Sequence, residues 1–283
     1  MADRLFLRLA EDPLYAPETT VPAGTMREFA VPPALAPWVA NAMGYEDELA
    51  PGVEATERVL PDGALRLIFD FDGDAVAARV VGASTRAVVL THRGEMRGLS
   101  LTLRPGAAQA LFGVPAHELA EGAHAWDDVV RSPVRGIGHR MLEAGSPQAR
   151  MAVVLQVLQE ALQAPDAADR ARVASAMHVL QHSRSGRPVV EAAEAVGLGE
   201  RRLQQLFGAH VGLSPKAWHG LARFHDCVRL LRGRRVVSWA EVAAEAGFHD
   251  QAHLANTFRA ICGCTPGQFL AERAAAGFSK TSA

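Results

Sequence analysis

The side chains best suited to specific chemistry in this sequence are arginine, glutamine and asparagine residues in two short segments. Arg201, Gln204 and Gln205 belong to the first segment, and Gln251 and Asn256 to the second. Arginine can donate two hydrogen bonds to guanine O6 and N7, and glutamine or asparagine can bond adenine N6 and N7 in the same bidentate way. The first three residues share one side of a helix, so they could meet base edges in a DNA groove together.

Four neighbouring residues extend this candidate DNA-contacting set. Arg202 and His253 lie on the same helices, Ala252 could touch a thymine methyl group, and Arg259 is better placed for a phosphate. The alternative is an ordinary solvated helix face in each segment. The full set of candidates is Arg201, Arg202, Gln204, Gln205, Gln251, Ala252, His253, Asn256 and Arg259.

Both segments belong to a motif that the chain uses twice. Phe207 and Phe258 are 51 residues apart, whereas Gly197 and Gly247, further upstream, are 50 apart. The 51-residue offset also relates Gly212-Leu213-Ser214-Pro215 to Gly263-Cys264-Thr265-Pro266, and Trp218 to Phe269. Each copy predicts a short helix, a glycine turn and a second helix, which is the outline of a helix-turn-helix. The one-residue change of offset falls between the turn and the second helix.

Helical periodicity and capping residues define the elements that must position these side chains. Apolar residues of the second helices recur on one face, leaving the polar candidates outside. Ser214, Ser238 and Asp250 are predicted N-caps. A continuous helix from Pro215 to Leu231 would hold the two units at a fixed distance. It ends in an arginine cluster that either binds phosphate or is solvated: Arg229, Arg232, Arg234 and Arg235.

The charge distribution favours a polyanionic partner for the C-terminal part. Residues 171–283 carry a net charge of +6 and residues 1–170 a net charge of −8. A basic region that also carries the repeat fits nucleic acid, whereas the acidic part should not bind DNA by itself.

Other classes of protein find little support in the sequence. We expect no signal peptide, no transmembrane helix and a cytoplasmic location. The three cysteines, Cys227, Cys262 and Cys264, are expected to be reduced and mostly buried. His249 and His253 have metal-compatible spacing, but no further ligand completes a set, so neither metal nor cofactor is expected. The usual hydrolase, nucleotide-binding and metalloprotease motifs are missing, which argues against an enzyme.

The N-terminal part alternates apolar and polar residues in short segments. Leu65, Leu67, Phe69 and Phe71 have the period of a strand, and further strands are predicted at 79–82, 87–90 and 99–103. They predict an antiparallel sheet or partial barrel. From residue 133 the pattern becomes helical, and an apolar stripe at 151–162 could form a dimer seam or pack on its own sheet. Residues 165–169 are predicted to be the interdomain linker.

The C-terminal residues resemble the DNA-binding domain of the AraC/XylS family of bacterial transcription regulators. The resemblance extends from about 172 to 273 and is carried by both glycine turns, both phenylalanines and both Gly-x-Ser/Thr-Pro stops. It implies two recognition helices, joined by a rigid helix, entering adjacent major grooves of double-stranded DNA. The sequence is thus predicted to be an α+β protein: an N-terminal antiparallel sheet or partial barrel with helices, then an all-α domain.

The predicted domains are a β-rich effector-binding domain at 1–132, a helical segment and linker at 133–169, a DNA-binding domain at 170–275 and a tail at 276–283. The first domain resembles the uncharacterised N-terminal domain that often precedes this DNA-binding domain, which implies effector sensing or dimerisation. Pro61-Asp62-Gly63, Arg86 and Arg104 could line its pocket or be turn and surface residues. We expect an activator or repressor that works as a homodimer and with RNA polymerase. Its activity is controlled either by a small effector or, in the alternative, by a protein partner or by the abundance of the regulator itself.

Overall fold

The computed structural model describes residues 25–130, 136–163, 167–231 and 238–271. A β-rich domain comes first and an all-helical domain follows it, so the predicted α+β class is confirmed. The tail at 276–283 lies outside the described residues.

The N-terminal domain is built on an open antiparallel sheet of six strands in the order β1-β2-β7-β4-β5-β8. Strands β3 and β6 form a separate antiparallel pair. The strands are β1 Thr25–Phe29, β2 Val39–Glu48, β3 Glu54–Val59, β4 Leu65–Asp72, β5 Ala75–Val81, β6 Val88–Arg93, β7 Glu95–Leu103 and β8 Ala123–Ala125. Of the two predicted forms, the open sheet is the one observed.

One face of the sheet is covered by helices, and the alternation of β4 explains why. Leu65, Leu67, Phe69 and Phe71 are buried, whereas the residues between them are only partly buried. Short helices α1 Ala107–Phe112, α2 Trp126–Val129 and α3 Ile137–Glu143 lead to the longer α4 Pro147–Ala161. The apolar stripe of α4 lies in the same core as the sheet. The stripe therefore packs on its own domain rather than forming a free dimer seam.

The C-terminal domain contains six described helices and a last helical stretch at 266–271. They are α5 Ala167–His182, α6 Pro188–Ala195, α7 Glu200–His210, α8 Pro215–Leu230, α9 Trp239–Glu245 and α10 Gln251–Cys262. Helix α5 already includes 167–169, so those residues of the predicted linker are helical, and residues 164–166 lie outside the described ranges. The three cysteines, Cys227, Cys262 and Cys264, are buried.

The geometry of the two helix-turn-helix units confirms the repeat. Gly197 and Gly247 both have positive φ angles, 68° and 74°, a conformation that costs little only for glycine. Each turn closes with the same backbone hydrogen bond: Leu198 N donates to Ala193 O, and Phe248 N to Ala243 O. The second helices then begin 51 residues apart, so the additional residue of the second copy stands between turn and helix, as predicted.

Side-chain caps start the helices where the sequence predicted them. Ser214 accepts a hydrogen bond from Ala217 N at 3.1 Å, and Asp250 accepts one from His253 N at 2.7 Å. Ser238 caps α9 in the same way. Each cap satisfies a backbone donor that the helix leaves without an internal partner. No helix in the described ranges combines the length and apolar content needed to cross a membrane.

His219 connects two core helices of this domain and should make its stability sensitive to pH. It is buried on α8, and its Nδ1 donates to Leu180 O of α5 at 2.7 Å. Burial lowers the pKa of His219, because desolvation penalises the imidazolium form, and Arg223 and Arg184 act in the same direction. The unfolded chain therefore takes up this proton first as the pH falls. The stabilising contribution is present above the unfolded pKa of about 6.5 and is lost below it.

We accordingly expect the free energy of unfolding to be smaller at pH 5.5 than at pH 7.5. Urea unfolding of the full chain measures this difference, and His219→Gln should reduce it because glutamine does not titrate. An equal pH dependence in the wild type and the variant would show that His219 is not its source.

Candidate nucleic-acid interface

Helix α7 presents the first set of candidate residues on a continuous exposed face. Leu203, Leu206 and Phe207 point into the core and are almost completely buried. Arg201 and Gln204 stand on the opposite side, exposed, at positions i and i+3, and Gln205 completes the face at i+4. Within the described part of the chain, Arg201, Gln204 and Gln205 form no hydrogen bond or ion pair. Their donors and acceptors are therefore available to a ligand.

Helix α10 presents the equivalent face with different chemistry. Ala252 and Asn256 stand 51 residues after Arg201 and Gln205, and both are exposed. Gln251 is exposed at the start of the helix, and Arg259 reaches towards Asn256 with its Nη1 3.5 Å from Asn256 Oδ1. The first unit therefore offers a DNA ligand one guanidinium and two side-chain amides. The second unit offers two side-chain amides, the methyl group of Ala252 and, further along the helix, the guanidinium of Arg259.

Arg202 and His253 occupy equivalent positions, and both make contacts within the protein. Arg202 Nη2 donates to Asp169 Oδ2 of α5 at 3.1 Å. His253 packs edge-on against Phe248 of the preceding turn, with ring centroids 5.3 Å apart. An exposed ion pair is worth at most about 1 kcal/mol, so Arg202 could exchange Asp169 for a phosphate at little cost.

The N-termini of the two recognition helices differ in how they are capped. Asp250 caps α10, and the hydrogen bond from His253 N, with a further one from His249, lowers the pKa of its carboxyl group. This carboxylate disfavours a phosphate close to the start of α10. Helix α7 begins at Glu200, after Gly199, which has no side chain to cap it, so the carboxylate in its first turn is that of Glu200. Both helix starts therefore carry one carboxylate, and in α10 that carboxylate is the cap.

The arginine cluster near the end of α8 is partly used within the fold. Arg229 and Arg184 both pair with Asp226, a buried carboxylate on the same long helix. Arg223 donates to Gly247 O and lies over the Phe248 ring at 4.4 Å, so it joins α8 to the second turn. Arg232, Arg234 and Arg235 lie outside the described residues. Sequence reasoning assigned no role to Arg223, since the repeat offers no signal for it.

The N-terminal domain holds the far ends of both recognition helices. Gly106 N donates to His210 O at the end of α7. Ala87 N donates to Ile261 O, and Arg58 Nη1 donates to Cys262 O, both at 2.6 Å. The carbonyls at helix C-termini lack internal partners, so these contacts satisfy them. The candidate base-reading residues, at the other ends, are left exposed.

A third connection between the domains is buried. His225 of α8 donates through Nε2 to Pro61 O at 2.7 Å, and Leu60 and Ala83 are packed in the core of the C-terminal domain. Residues far apart in the sequence make these contacts, so no local pattern could have revealed them. Together they join the N-terminal domain to both helix-turn-helix units.

Of the residues predicted to line a pocket, two groups lie on the wall of a cavity between the domains. They are Asp62 and Gly63 of the predicted turn and Arg104, and the cavity has a volume of about 470 Å³. Arg86 lies elsewhere, in a turn that Glu121 holds through Ser84 and Thr85. No cluster of three or more histidine, cysteine or acidic residues suitable for a metal occurs in the described ranges.

Comparison with known proteins agrees with the division into two parts. A helix-turn-helix domain model matches residues 192–272, and a domain of unknown function, DUF6597, matches residues 27–124. The virulence regulon transcriptional activator VirF of Yersinia enterocolitica is 36% identical over 76 residues, which are 27% of this chain and 28% of that protein. The transcriptional regulator ExsA of Pseudomonas aeruginosa is 36% identical over 70 residues, 25% of each chain. The matched segment spans about a quarter of these relatives.

Among solved structures, ToxT of Vibrio cholerae is similar over 81% of this chain and 97% of its own, with 8% identity and a TM-score of 0.41. At that score the two proteins are too distant for their sites to be compared. The similarity to known proteins is instead carried by the helix-turn-helix match over residues 192–272, which contain both glycine turns and both recognition helices. Residues 192–272 therefore match a helix-turn-helix domain, and they follow a segment, residues 27–124, that matches a domain of unknown function.

Proposed function

We propose that this chain is a sequence-specific, DNA-binding transcriptional regulator that reads two adjacent major grooves of one duplex. The observation that supports this most directly is the pair of exposed faces on α7 and α10, which stand at equivalent positions of a repeated unit. Helix α8 separates the units and is about 24 Å long at 1.5 Å per residue. Successive major grooves on one side of a duplex are about 34 Å apart, and a continuous helix between the units would hold them at a fixed separation.

Arg201, Gln204 and Gln205 are proposed to read bases in one groove, and Gln251, Ala252 and Asn256 in the next. Arg202, His253 and Arg259 are proposed to contact the phosphate backbone or the groove edge. Because the two sets differ, the DNA site should be asymmetric. The first unit should contribute more of the specificity, because it carries the guanidinium of Arg201 and because no side chain caps the start of α7.

The N-terminal domain is proposed to modulate DNA binding in response to a small effector. This proposal is supported by the backbone contacts through which that domain holds the C-terminal ends of α7 and α10. A change in the N-terminal domain could thus alter how the two recognition helices are held. Homodimer formation and a contact with RNA polymerase belong to the same proposal.

Control by a protein partner is the second candidate, and one surface favours it. Three consecutive apolar residues of β6, Val88, Val89 and Leu90, are between 41% and 53% exposed. Exposed apolar side chains in such a run are more usual at binding surfaces than elsewhere. A small effector would bind the purified chain alone, whereas this alternative requires the partner.

DNA binding should depend steeply on salt. A protein that contacts about 6–10 phosphates loses about 10³–10⁵ in affinity between 50 and 200 mM salt, because bound counterions are released on binding, and we expect a loss in that range. Fluorescence anisotropy with a duplex selected from a random pool by the full chain measures it. A flat dependence over this range would contradict DNA as the partner.

A matched pair of variants assigns the effect to the proposed surface. Arg259→Ala should reduce the slope of log affinity against log salt by about 1. Arg79→Ala removes an arginine that pairs with Asp70 on the sheet of the other domain, and it should leave the slope unchanged.

A further inference from the structure

The loop at residues 82–87 carries the N-terminal domain into contact with the second helix-turn-helix unit. It follows β5, and Ala83 and Ala87, near its two ends, pack in the core of the C-terminal domain. The backbone N–H of Ala87 donates to Ile261 O, at the end of α10, at 2.6 Å. The position of this loop therefore helps to determine how the end of α10 is held.

The carboxylate of Glu121 accepts three hydrogen bonds from this loop, and we call them the Glu121 clasp. Its Oε1 accepts from Thr85 N at 2.9 Å and from Thr85 Oγ1 at 2.8 Å, and its Oε2 accepts from Ser84 Oγ at 2.9 Å. Burial by itself would raise the pKa of the Glu121 carboxyl group, but these hydrogen bonds and the nearby Arg86 lower it. The acceptor at neutral pH is therefore an ionised carboxylate, which forms stronger hydrogen bonds than a neutral group.

The backbone at Glu121 is shaped to bring its side chain to the loop. Among the described residues, Glu121 is the one residue other than glycine with a positive φ angle, 57°, a conformation that is unfavourable for any residue with a side chain. Glu121 N donates to Ala83 O, and Gly82 N donates to Gly122 O, both at 2.9 Å. A Cβ added to Gly82 would lie 1.7 Å from Leu119 O, so the two segments are in close backbone contact. These contacts retain the unfavourable conformation where it directs the carboxylate at the loop.

The segment that carries Glu121 also reaches the first unit. Residues 116–118 form a short 3₁₀ helix, and Ala116 O lies against the chain just after α7, since a Cβ added to Gly212 would be 3.0 Å from it. The segment at 116–122 therefore contacts the end of α7 at one side and, through the clasp, the loop that holds α10 at the other. The clasp completes a connection between the C-terminal ends of the two recognition helices.

We propose that Glu121 is a positioning residue for DNA reading by the second unit, and that it acts through the loop at 82–87. The clasp holds Ala87 against Ile261, so that α10 is oriented relative to α7 before DNA binds. Pre-organisation of this kind favours binding, because less ordering is needed when the complex forms. The inference rests on the proposed function, since it names a residue through which the N-terminal domain acts on the DNA contacts of that regulator.

Two substitutions of Glu121 separate the clasp from the stability of the fold. Glu121→Gly and Glu121→Ala both remove the carboxylate, but glycine adopts a positive φ angle without strain, whereas alanine does not. The thermal unfolding midpoint of Glu121→Gly should therefore lie closer to that of the wild type than the midpoint of Glu121→Ala does. Glu118→Ala is the matched control, because Glu118 is an exposed glutamate of the same segment and its carboxylate is not part of the clasp.

The first measurement is amide hydrogen exchange at Ala87, followed by NMR in the full chain without DNA. The N–H of Ala87 is bonded to Ile261 and not to Glu121, so its exchange reports how firmly the clasp holds the loop. It should exchange at least about tenfold faster in Glu121→Gly, because even one hydrogen bond to a charged group corresponds to a factor of that size. The rate in Glu118→Ala should equal that of the wild type. An unchanged rate in Glu121→Gly would overturn the proposal.

The second measurement compares two duplexes: the one selected by the wild type, and one in which the base block read by α10 is replaced. Glu121→Gly should bind the selected duplex about five- to tenfold more weakly than the wild type does, a factor at the low end of couplings between sites. It should bind the replaced duplex almost as tightly as the wild type does, and Glu118→Ala should match the wild type on both. Equal or tighter binding of the selected duplex by Glu121→Gly, or the same weakening on both duplexes, would overturn the positioning role.

The outcome can be separated from that of the proposed function. If the wild type selects no duplex, the regulator fails and the positioning role in DNA reading fails with it, although faster exchange at Ala87 would still establish the clasp. If the wild type selects a duplex but Glu121→Gly changes neither exchange nor affinity, the role of Glu121 fails and the regulator stands.

Discussion

Phe258→Ala is expected to lower the free energy of unfolding by about 3–5 kcal/mol, the cost typical of truncating a fully buried phenylalanine. Phe258 is completely buried on the inner face of α10. Its ring packs edge-on against Phe224 of α8 at 4.9 Å and against Phe269 at 5.7 Å. Truncation would leave a cavity where three helical segments meet. Because Phe207 is the equivalent and equally buried residue of the first unit, Phe207→Ala should cost a similar amount.

Urea unfolding followed by circular dichroism measures both variants, and each has a control on the same helix. Gln205→Ala and Asn256→Ala truncate exposed residues two positions before the phenylalanines. Such surface changes should stay within about 0.5 kcal/mol of the wild type. If either phenylalanine variant were as stable as its control, that helix would not be anchored as the structure shows.

Arg201→Ala is expected to weaken binding to the selected DNA site by about 1–3 kcal/mol and to relax the preference at one base position. The arginine is exposed near the start of α7 and has no partner in the described ranges, so no internal contact must be broken before it meets a base. Competition binding of matched and single-base-substituted duplexes measures the effect. Arg202→Ala is the control: Arg202 already pairs with Asp169, and its loss should weaken all duplexes about equally. A base preference unchanged in Arg201→Ala would remove Arg201 from the reading set.

The elements of the C-terminal domain could be predicted from the sequence because their determinants are local. Glycine turns, serine and aspartate caps and apolar spacing lie within a few residues of the structure they specify, and the repeat provides an independent check. The same holds for the alternation of β4. The apolar stripe of α4 shows the limit: its spacing is compatible with two partners, and only the position of the sheet decides between them.

The contacts between the domains could not be predicted, because their partners lie far apart in the sequence. Arg58 and Cys262 are 204 residues apart, and Arg58 reads as an ordinary strand arginine until α10 is placed beside it. The ion pair between Arg202 and Asp169 could not be predicted either, because Asp169 was predicted to lie in a linker. The contacts made by Arg58, Ala87 and Gly106 give the N-terminal domain a direct connection to the recognition helices, on which the proposed regulation depends.

The most direct measurement of the central claim is selection of binding sites from random duplex DNA by the wild type, Arg201→Ala and Asn256→Ala. For the wild type we expect two blocks of base preference separated by about one helical turn, 10–10.5 base pairs. Arg201→Ala should relax only the block read by α7, and Asn256→Ala only the block read by α10. A single block of preference, or relaxation of the same block by both variants, would contradict the reading of two adjacent grooves by two recognition helices.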